Sequence, residues 1–519
     1  MTLLPFLIVS MGGAVAVLLV RGPERLATLI GLLALVATLF TALAIAPGQS
    51  LAMGGSGIAT TAYLRLFLVL GAASGLLLAV VGAAAGSRRD APAVTLAILG
   101  TSALALSIPD TLHAVLAATA GGLFGALLCI APLGGRAGAT VGTRALRATV
   151  VAATMAIAAA AWIGRDLSEL AAQPVVFGLA YLAMAVAVAI RFGAIPFHAW
   201  AARLADAVPE TSLPLVTAWA PAGLAVVALA WTDRSIAPLL VDLDEARVVV
   251  IAIALASILL ASVAALIQDD LEHIVGYAIV GDAGVVMLAI ATLDPEAWAP
   301  ARTWIIAFVV ARTAFAAWAA AVRTTFFTGR LADLRGWAIR SPLLAAALAA
   351  VVLASVGLPG LAAFDARGTL IDLALPGPLG IVAWIGVLSP IAFYARLLII
   401  GLGRPGPRAG PSTWRPHVRP LALTDMRRWA AMTWSDNRAF VAATSASSAA
   451  ILALAVSVGA FGLPAAAAGL PPEIRDVTEV FEPGGPTETP DPEPAPEPGA
   501  TDGPASPEPS FAPIPLPSG

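Results

Sequence analysis

The stretch from Arg191 to Trp200 places an arginine, a proline and a histidine at the end of a long apolar run. The run from Pro174 to Ile190 has no charge and is long enough to be most of a membrane-spanning helix, so its continuation places Arg191 inside the bilayer. Pro196 has no N–H to donate to the carbonyl of Phe192, so we expect the helix to break beside the arginine. A charge and freed carbonyls are tolerated at that depth only where protein or a water-filled path surrounds them. The alternative is an arginine that reaches the lipid headgroups.

A second stretch has the same features. Pro359 and Gly360 interrupt another apolar run, and Asp365 and Arg367 follow before apolar sequence resumes. We expect Asp365 and Arg367 to form a local ion pair, with a relay role for Asp365 as the alternative. Interrupted helices at corresponding positions of two halves indicate an ion or substrate path near mid-membrane.

The composition excludes a soluble globular protein. The chain has 519 residues, of which 59% are hydrophobic and 12% charged, and its mean hydropathy is +0.90. This predicts an all-α polytopic membrane protein. All 29 basic residues are arginine. The single cysteine, Cys129, excludes a disulfide framework and a thiol metal site.

Apolar runs predict about 14 transmembrane spans. An offset of five spans between the two interrupted helices, spans 7 and 12, reverses the direction of crossing, which indicates two inverted five-helix repeats. The predicted spans are residues 3–20, 26–46, 62–86, 92–108, 111–132, 146–163, 174–200, 212–231, 247–267, 273–292, 302–322, 341–364, 378–402 and 438–463.

The same runs divide the chain into segments. We expect spans 1–3 in residues 1–90, the first repeat in 91–232, the second, inverted repeat in 245–402, an Arg-, Pro- and Trp-rich cytoplasmic loop in 403–437, the last span in 438–469 and a disordered, acidic, Pro-rich tail in 470–519.

Arginines predict the orientation, because they cluster in alternate loops. By the positive-inside rule those loops are cytoplasmic and both termini are outside. The acidic loop with Asp269, Asp270 and Glu272 is an exception to this pattern. The clusters are Arg21 and Arg25, Arg88 and Arg89, Arg136 with Arg144 and Arg147, Arg323 to Arg340, and Arg404 to Arg438.

Several of these motifs resemble a known family. The Arg191 to Trp200 segment is similar to the Lys-x-x-x-x-Pro-Phe-His-x-Trp segment of the proton-conducting antiporter-like membrane subunits of respiratory complex I and Mrp antiporters. The resemblance is nearest to subunit N of NADH-quinone oxidoreductase. Further similar segments are Leu215 to Ala218, Asp270 to Tyr277 (family Asp-Leu-Lys-Arg-Leu-Leu-Ala-Tyr), Asp333 to Leu344, Gly357 to Gly360, Phe364 to Arg367, and Phe393 to Arg396.

The resemblance implies fourteen helices, inverted repeats and a line of titratable groups across the membrane. This chain departs from the family at those groups. The family lysines of the broken helices align with Arg191 and Arg367. The lysine or histidine of the eighth helix aligns near Gly223 to Ala225, and the glutamate of the fifth helix falls near Ala120, so neither position is ionisable.

Arginine changes the chemistry, because a buried lysine can release its proton near neutral pH whereas a guanidinium group, which has a much higher pKa, cannot. A proton path must then use carboxylates, histidines and water. The predicted path residues are Arg191, His198, Asp282, Asp365, Arg367 and His273, with Asp206, Glu210 and His113 as further candidates.

Each candidate has an ordinary alternative. His198 can cap a helix, His273 can lie at a solvated helix end, and Asp206 can pair with Arg203 three residues earlier. Asp282 lies within an apolar run, where an isolated carboxylate is costly and usually functional.

We therefore expect a membrane-arm subunit of a complex I-like NADH/quinone oxidoreductase that contributes to proton translocation across the plasma membrane. An Mrp-type cation/proton antiporter subunit and a non-conducting structural subunit are the alternatives. No flavin, iron–sulfur or nucleotide motif occurs, so we expect the chain to bind no cofactor and partner subunits to use quinone and NADH. The expected partners are other membrane subunits, the lipid bilayer, and protons or monovalent cations, without nucleic acid.

Overall fold

The computed structural model describes residues 1–20, 24–53, 56–84, 91–130, 136–163, 174–233, 243–326 and 328–403. These residues belong to one compact unit, Met1–Val480; a second unit, Phe481–Gly519, lies outside them. The predicted cytoplasmic loop after residue 403, the last predicted span and the acidic tail also lie outside the described residues.

The described chain is a bundle of α-helices, which confirms the predicted all-α membrane fold. In order, the helices are α1 (Leu4–Leu19), α2 (Glu24–Leu43), α3 (Ala62–Ala84), α4 (Ala91–Ser107), α5 (Thr111–Ile130), α6 (Arg136–Ile163), α7 (Pro174–Phe192), α8 (Ala199–Leu204), α9 (Ala220–Trp231), α10 (Asp244–Ile267), α11 (Leu271–Thr292), α12 (Trp298–Phe326), α13 (Trp337–Arg340), α14 (Pro342–Val356), α15 (Ala362–Ala374), α16 (Pro378–Leu388) and α17 (Pro390–Leu402). Eight helical segments of the described residues are long and apolar enough to cross a membrane, and one of them consists of α16 and α17 together.

A short hairpin that the sequence did not predict connects α2 to α3. Strands β1 (Ser50–Met53) and β2 (Ser56–Ala59) pair antiparallel, with Ser50 opposite Ala59. Thr60 closes the hairpin, because its hydroxyl donates to the carbonyl of Ala46 at 2.7 Å. Strands of four residues are too short to produce a recognisable alternation of polar and apolar residues.

Helix α6 begins earlier than predicted. We expected Arg136, Arg144 and Arg147 in the loop before span 6, but all three lie within α6. Arginine is a good helix former and no proline interrupts this stretch, so the helix continues through the charged residues.

Helix α12 is the centre of the bundle. Every side chain from Ala301 to Val322 is buried, and the helix packs against α3, α11, α14 and α15. A helix that is enclosed on all sides has to be apolar around its whole circumference. This one is apolar except for Arg302, Arg312, Arg323 and a few threonines.

The predicted seventh span is broken where the sequence indicated. Helix α7 ends at Phe192 and Gly193 adopts a φ of +66°, a conformation that favours glycine. The carbonyl of Ile190 accepts from the indole N–H of Trp200 at 2.8 Å and from the N–H of Gly193 at 3.1 Å. The N–H of Ile195 donates to the Ser257 hydroxyl of α10 at 2.9 Å, so the break is fixed by a neighbouring helix as well.

The predicted twelfth span is also broken. Helix α14 ends at Val356 and α15 begins at Ala362. Gly357 and Gly360 have φ values of +71° and +87°, so both turns depend on glycine. The Asp365 carboxylate accepts a hydrogen bond from the N–H of Gly360 at 3.1 Å and thereby stabilises the loop between the two helices.

Two glycines of α11 provide a matched test of the close packing between α10 and α11. A Cβ at Gly284 would lie 2.6 Å from Ile258 Cγ1 and 2.8 Å from the Ala254 carbonyl oxygen, whereas a Cβ at Gly276 meets nothing within 4 Å. We expect Gly284→Ala to lower the free energy of unfolding by about 1 to 3 kcal/mol, because the helices must move apart.

Thermal unfolding of the detergent-solubilised protein measures this difference. Gly276→Ala, on the same helix, is the control and should be neutral or slightly stabilising. Equal unfolding temperatures for the two variants would show that α10 and α11 do not approach this closely at Gly284.

Candidate functional site

A buried ion pair connects α11 to the centre of the bundle. Nε of Arg312 donates to a carboxylate oxygen of Asp282 at 2.6 Å. Arg312 is 0% and Asp282 is 6% exposed, so both charges are removed from bulk solvent. Two buried charges at this distance are tolerable because each neutralises the other and both are hydrogen-bonded.

Two hydroxyl groups extend the pair towards the second helix break. Nη1 of Arg312 donates to the phenol oxygen of Tyr394 on α17 at 2.7 Å. The Tyr394 hydroxyl in turn donates to the hydroxyl of Ser355 in the last turn of α14 at 3.1 Å. These polar groups therefore form a continuous hydrogen-bonded chain within the bundle.

Arg367 lies at the end of this chain. Its Nη1 donates to the carbonyl of Ser355 at 3.2 Å and its Nη2 donates to the carbonyl of Val356. Its guanidinium carbon lies 5.2 Å from the ring centroid of Trp304 and 5.5 Å from that of Phe364. A positive charge is favourable here, because the carbonyls at a helix C-terminus carry partial negative charge and ring faces attract cations.

Asp365 does not take part in these contacts, so the predicted Asp365–Arg367 ion pair is wrong. The Asp365 side chain is exposed and bonds the loop N–H of Gly360, whereas Arg367 is 2% exposed and points to the end of α14. Side chains two positions apart on a helix point to different faces, so Asp365 and Arg367 of α15 do not meet. We call the connected residues Asp282, Arg312, Tyr394, Ser355 and Arg367 the central network.

Arg191 is also buried within the bundle. It is 2% exposed, and its Nη1 donates to the Thr149 hydroxyl of α6 at 2.9 Å. A Cβ at Gly122 of α5 would lie 2.6 Å from Nη2 of Arg191. The residue of α5 that lies against this guanidinium group is thus a glycine.

His198 precedes α8 and is half-buried. Its side chain does not cap that helix, so the capping alternative is wrong. Its Nδ1 is buried and has no hydrogen-bond partner among the described residues. Its backbone carbonyl accepts a bond from the N–H of Ala202 at 2.9 Å, which is ordinary helix initiation.

A second group of charges surrounds Arg323 near the C-terminal end of α12. Nη1 of Arg323 lies 3.0 Å from a carboxylate oxygen of Glu210 and 3.2 Å from one of Glu272. Only 1% of the Glu210 side chain and 14% of the Glu272 side chain are exposed. Two carboxylates therefore share one guanidinium nitrogen in a largely enclosed position.

His273, which follows Glu272 in the chain, pairs with Asp206. Nε2 of His273 lies 3.0 Å from Asp206, and the more exposed Arg203 lies 3.6 Å from the same carboxylate. Asp206, which lies just beyond the end of α8 at Leu204, therefore has both the expected contact with Arg203 and a contact with His273. We call Asp206, Glu210, Glu272, His273 and Arg323 the acidic cluster.

The remaining acids of the Asp269 to Glu272 loop also pair with arginines. Asp269 lies 2.8 Å from Arg396, and Asp270 lies 3.9 Å from Arg330. The basic partners come from α17 and from the loop after α12, so these loops lie on one side of the bundle. This pairing accounts physically for the acidic exception to the arginine pattern.

The last predicted candidate, His113, is exposed and bonds Asp110 three residues earlier. This is a local contact at the start of α5. Among the described residues, no group of three or more His, Cys, Asp and Glu side chains could hold a metal ion.

Sequence reasoning did not identify Arg312, Tyr394, Ser355 or Arg323 as site residues. Arg312 had a usable signal, because a charge in the middle of an apolar span is costly and has to find a partner. Arg302 has the same signal; it is 0% exposed, and its guanidinium carbon lies 4.1 Å from the ring centroid of Tyr63. Ser355 had no such signal, because serine is common in membrane helices.

The broken helices and the enclosed charges define a multi-pass membrane protein built around a polar interior. Residues 150–391 match the family described as NADH:quinone oxidoreductase/Mrp antiporter, transmembrane. This match confirms the predicted resemblance for this part of the chain. This part contains both helix breaks, the central network except Tyr394, and the acidic cluster.

Known proteins support the same assignment. The chain is 28% identical over 235 residues to NADH-quinone oxidoreductase subunit N of Halorhodospira halophila, a match that covers 44% of this chain and 47% of the relative. The chain thus spans about half the length of the curated relatives it matches.

The fold extends further than this sequence match. A chain in the structure of the Mrp complex from Dietzia sp. DQ12-45-1b has a TM-score of 0.70 and 20% identity, covering 91% of this chain and 98% of that one. A chain of respiratory complex I from Thermus thermophilus has a TM-score of 0.63 and 21% identity, with coverages of 88% and 98%.

A double-mutant cycle tests the ion pair at the centre of the site. We expect Asp282→Leu to lower the free energy of unfolding by about 3 to 5 kcal/mol, because it leaves the buried Arg312 unpaired. Arg312→Met should be similarly destabilising, whereas the double variant should recover most of the loss, because it removes both charges. Thermal or denaturant unfolding of the solubilised protein measures the cycle. Additive losses in the double variant would show that the two side chains do not interact.

Proposed function

We propose that this protein is a membrane-arm subunit of a complex I-like NADH/quinone oxidoreductase and contributes to proton translocation across the plasma membrane. The central network is the observation that carries the proposal. It places a carboxylate, two hydroxyls and two fixed positive charges in one buried hydrogen-bonded chain. Such groups are costly inside a membrane protein and mark ion paths. The family of residues 150–391 and the similarity to subunit N support the assignment to this kind of assembly.

Arginine at both helix breaks determines which groups can carry the proton. Arg191 and Arg367 keep their protons, so in this proposal they act only by their charge. Asp282 takes up and releases the proton. Arg312 lies beside this carboxylate, with its Nε 2.6 Å from a carboxylate oxygen. The Tyr394 and Ser355 hydroxyls, with water, pass protons along the chain to the end of α14.

The acidic cluster serves as the access point in this proposal. Its carboxylates and His273 are the titratable groups nearest the loops predicted to be cytoplasmic. His198, near the first helix break, lies between this cluster and Arg191 in sequence. We further propose that both termini are outside, that partner membrane subunits surround this chain, and that those partners use quinone and NADH.

A second candidate function is that of a cation/proton antiporter subunit. The similarity in fold to a chain of the Mrp complex structure, with a TM-score of 0.70, favours it. The acidic cluster also suits it, because carboxylate oxygens bind monovalent cations as well as protons. A structural subunit that conducts nothing is the third candidate. It is favoured by Arg191 and Arg367 and by the non-ionisable residues near Ala120 and from Gly223 to Ala225, where the resemblance implies titratable groups.

Proton flux into vesicles separates conduction from a structural role. We expect Asp282→Asn to lower the flux of the reconstituted assembly about tenfold or more, because the amide cannot take up the proton. Asp372→Asn is the matched control, since Asp372 is exposed on α15, and its flux should equal that of the wild type. Unchanged flux in Asp282→Asn would contradict the proton path and support the structural candidate.

Copurification separates the two conducting candidates. After mild detergent extraction we expect flavin- and iron–sulfur-containing partners and NADH-dependent quinone reduction in the same preparation. Proton uptake driven by a sodium or potassium gradient, in a preparation without redox partners, would instead support the antiporter candidate.

A further inference from the structure

Two guanidinium groups of the central network have N–H donors without an acceptor. Nη2 of Arg312 and Nε of Arg367 are buried and have no hydrogen-bond partner among the described residues. Their other nitrogens are satisfied by Asp282, Tyr394 and the two carbonyls at the end of α14. Buried donors in folded proteins are nearly always hydrogen-bonded, so these two need an acceptor from outside this set.

The charge of the same network is also unbalanced. The charged side chains that act on Arg367 are Asp282 and Arg312, which gives two positive charges against one negative charge. The carbonyls at the end of α14 and the rings of Trp304 and Phe364 offset part of the excess. They carry only partial charges, so a net positive charge remains in an enclosed position.

An arginine cannot remove such a charge imbalance by losing its proton. A buried lysine can become neutral by losing its proton. Arg367 cannot do this. A water molecule would satisfy an N–H donor but would leave the positive charge unbalanced. A monovalent anion would satisfy the donor and also balance the charge.

We propose that the central network binds one small monovalent anion of the halide class, which accepts hydrogen bonds from Nη2 of Arg312, from Nε of Arg367, or from both. Charge-assisted N–H donors suit this ligand. The anion goes beyond the proposed proton path, because it is a bound ligand of the resting protein. It also competes with Asp282 for Arg312, so its binding weakens the hold of Arg312 on the carboxylate.

Anion-dependent stability tests this site on the purified full chain in detergent. The thermal unfolding temperature is measured in rising sodium chloride or bromide, with sodium gluconate replacing the halide at constant ionic strength. We expect a saturable rise with halide in the wild type. Arg367→Gln and Arg312→Gln should need about tenfold more halide or show no rise, because each removes a charged donor. Arg65→Gln is the control. Arg65, near the start of α3, donates to the Leu43 carbonyl at the end of α2 and lies outside the network.

Iodide quenching of tryptophan fluorescence gives a second measurement that does not need the arginine variants to fold. Trp304 lies 5.2 Å from the Arg367 guanidinium carbon, so a bound iodide should quench it at low concentration. We expect a saturable quenching component in the wild type that is absent from Trp304→Phe. Chloride should compete with it.

The proposal is overturned if halide and gluconate give the same unfolding temperature, if the halide effect survives in Arg367→Gln and Arg312→Gln, or if quenching shows no saturable Trp304 component. Water then satisfies the two donors. These are equilibrium measurements on solubilised protein, so their outcome is independent of whether the assembly translocates protons.

Discussion

An arginine enclosed in the middle of α12 has to find all its partners inside the protein. Arg312 binds Asp282 on α11 and Tyr394 on α17, and through Tyr394 it is connected to Ser355 at the end of α14. Breaking a buried pair of this kind is far more costly than any single apolar contact. The position of one guanidinium group therefore determines how four helices meet, and it places the interrupted end of α14 beside a charged centre.

The two helix breaks satisfy their freed carbonyls in different ways. At the end of α7 the Ile190 carbonyl accepts from the Trp200 indole and from the N–H of Gly193, and Arg191 donates to the Thr149 hydroxyl. At the end of α14 Arg367 itself bonds the last two carbonyls and connects the break to the central network. The inverted repeats predicted from the sequence give both halves an arginine beside a break, but the described contacts give the two arginines different partners.

Much of the fold follows from the sequence. Uncharged runs of about twenty residues require membrane helices, and the Pro and Gly residues near Arg191 and Arg367 indicated where two of them break. Predictions from residues that are neighbours in sequence were wrong where contacts between distant residues determine the structure. Asp365 was assigned to Arg367 because they are neighbours in sequence, whereas the partners of Arg367 are carbonyls eleven and twelve residues away.

The candidate site was less predictable for the same reason. Asp282 was recognised because a carboxylate in an apolar run needs an explanation, but its partner lies 30 residues away on another helix. Arg312 and Arg302 are both charges within an apolar span, and only packing shows that Arg312 is the partner of Asp282. The acidic loop before α11 contradicted the arginine pattern when taken alone, and pairing with Arg323, Arg330 and Arg396 resolves it.

An electron cryo-microscopy map of the chain in lipid nanodiscs tests the central claim most directly. We expect density for the Arg312 side chain between Asp282 and Tyr394, an interruption between Val356 and Ala362, and the Arg367 side chain on the carbonyls at the end of α14. A continuous helix from Pro342 to Ala374, or an Arg367 side chain among the lipid headgroups, would contradict the account.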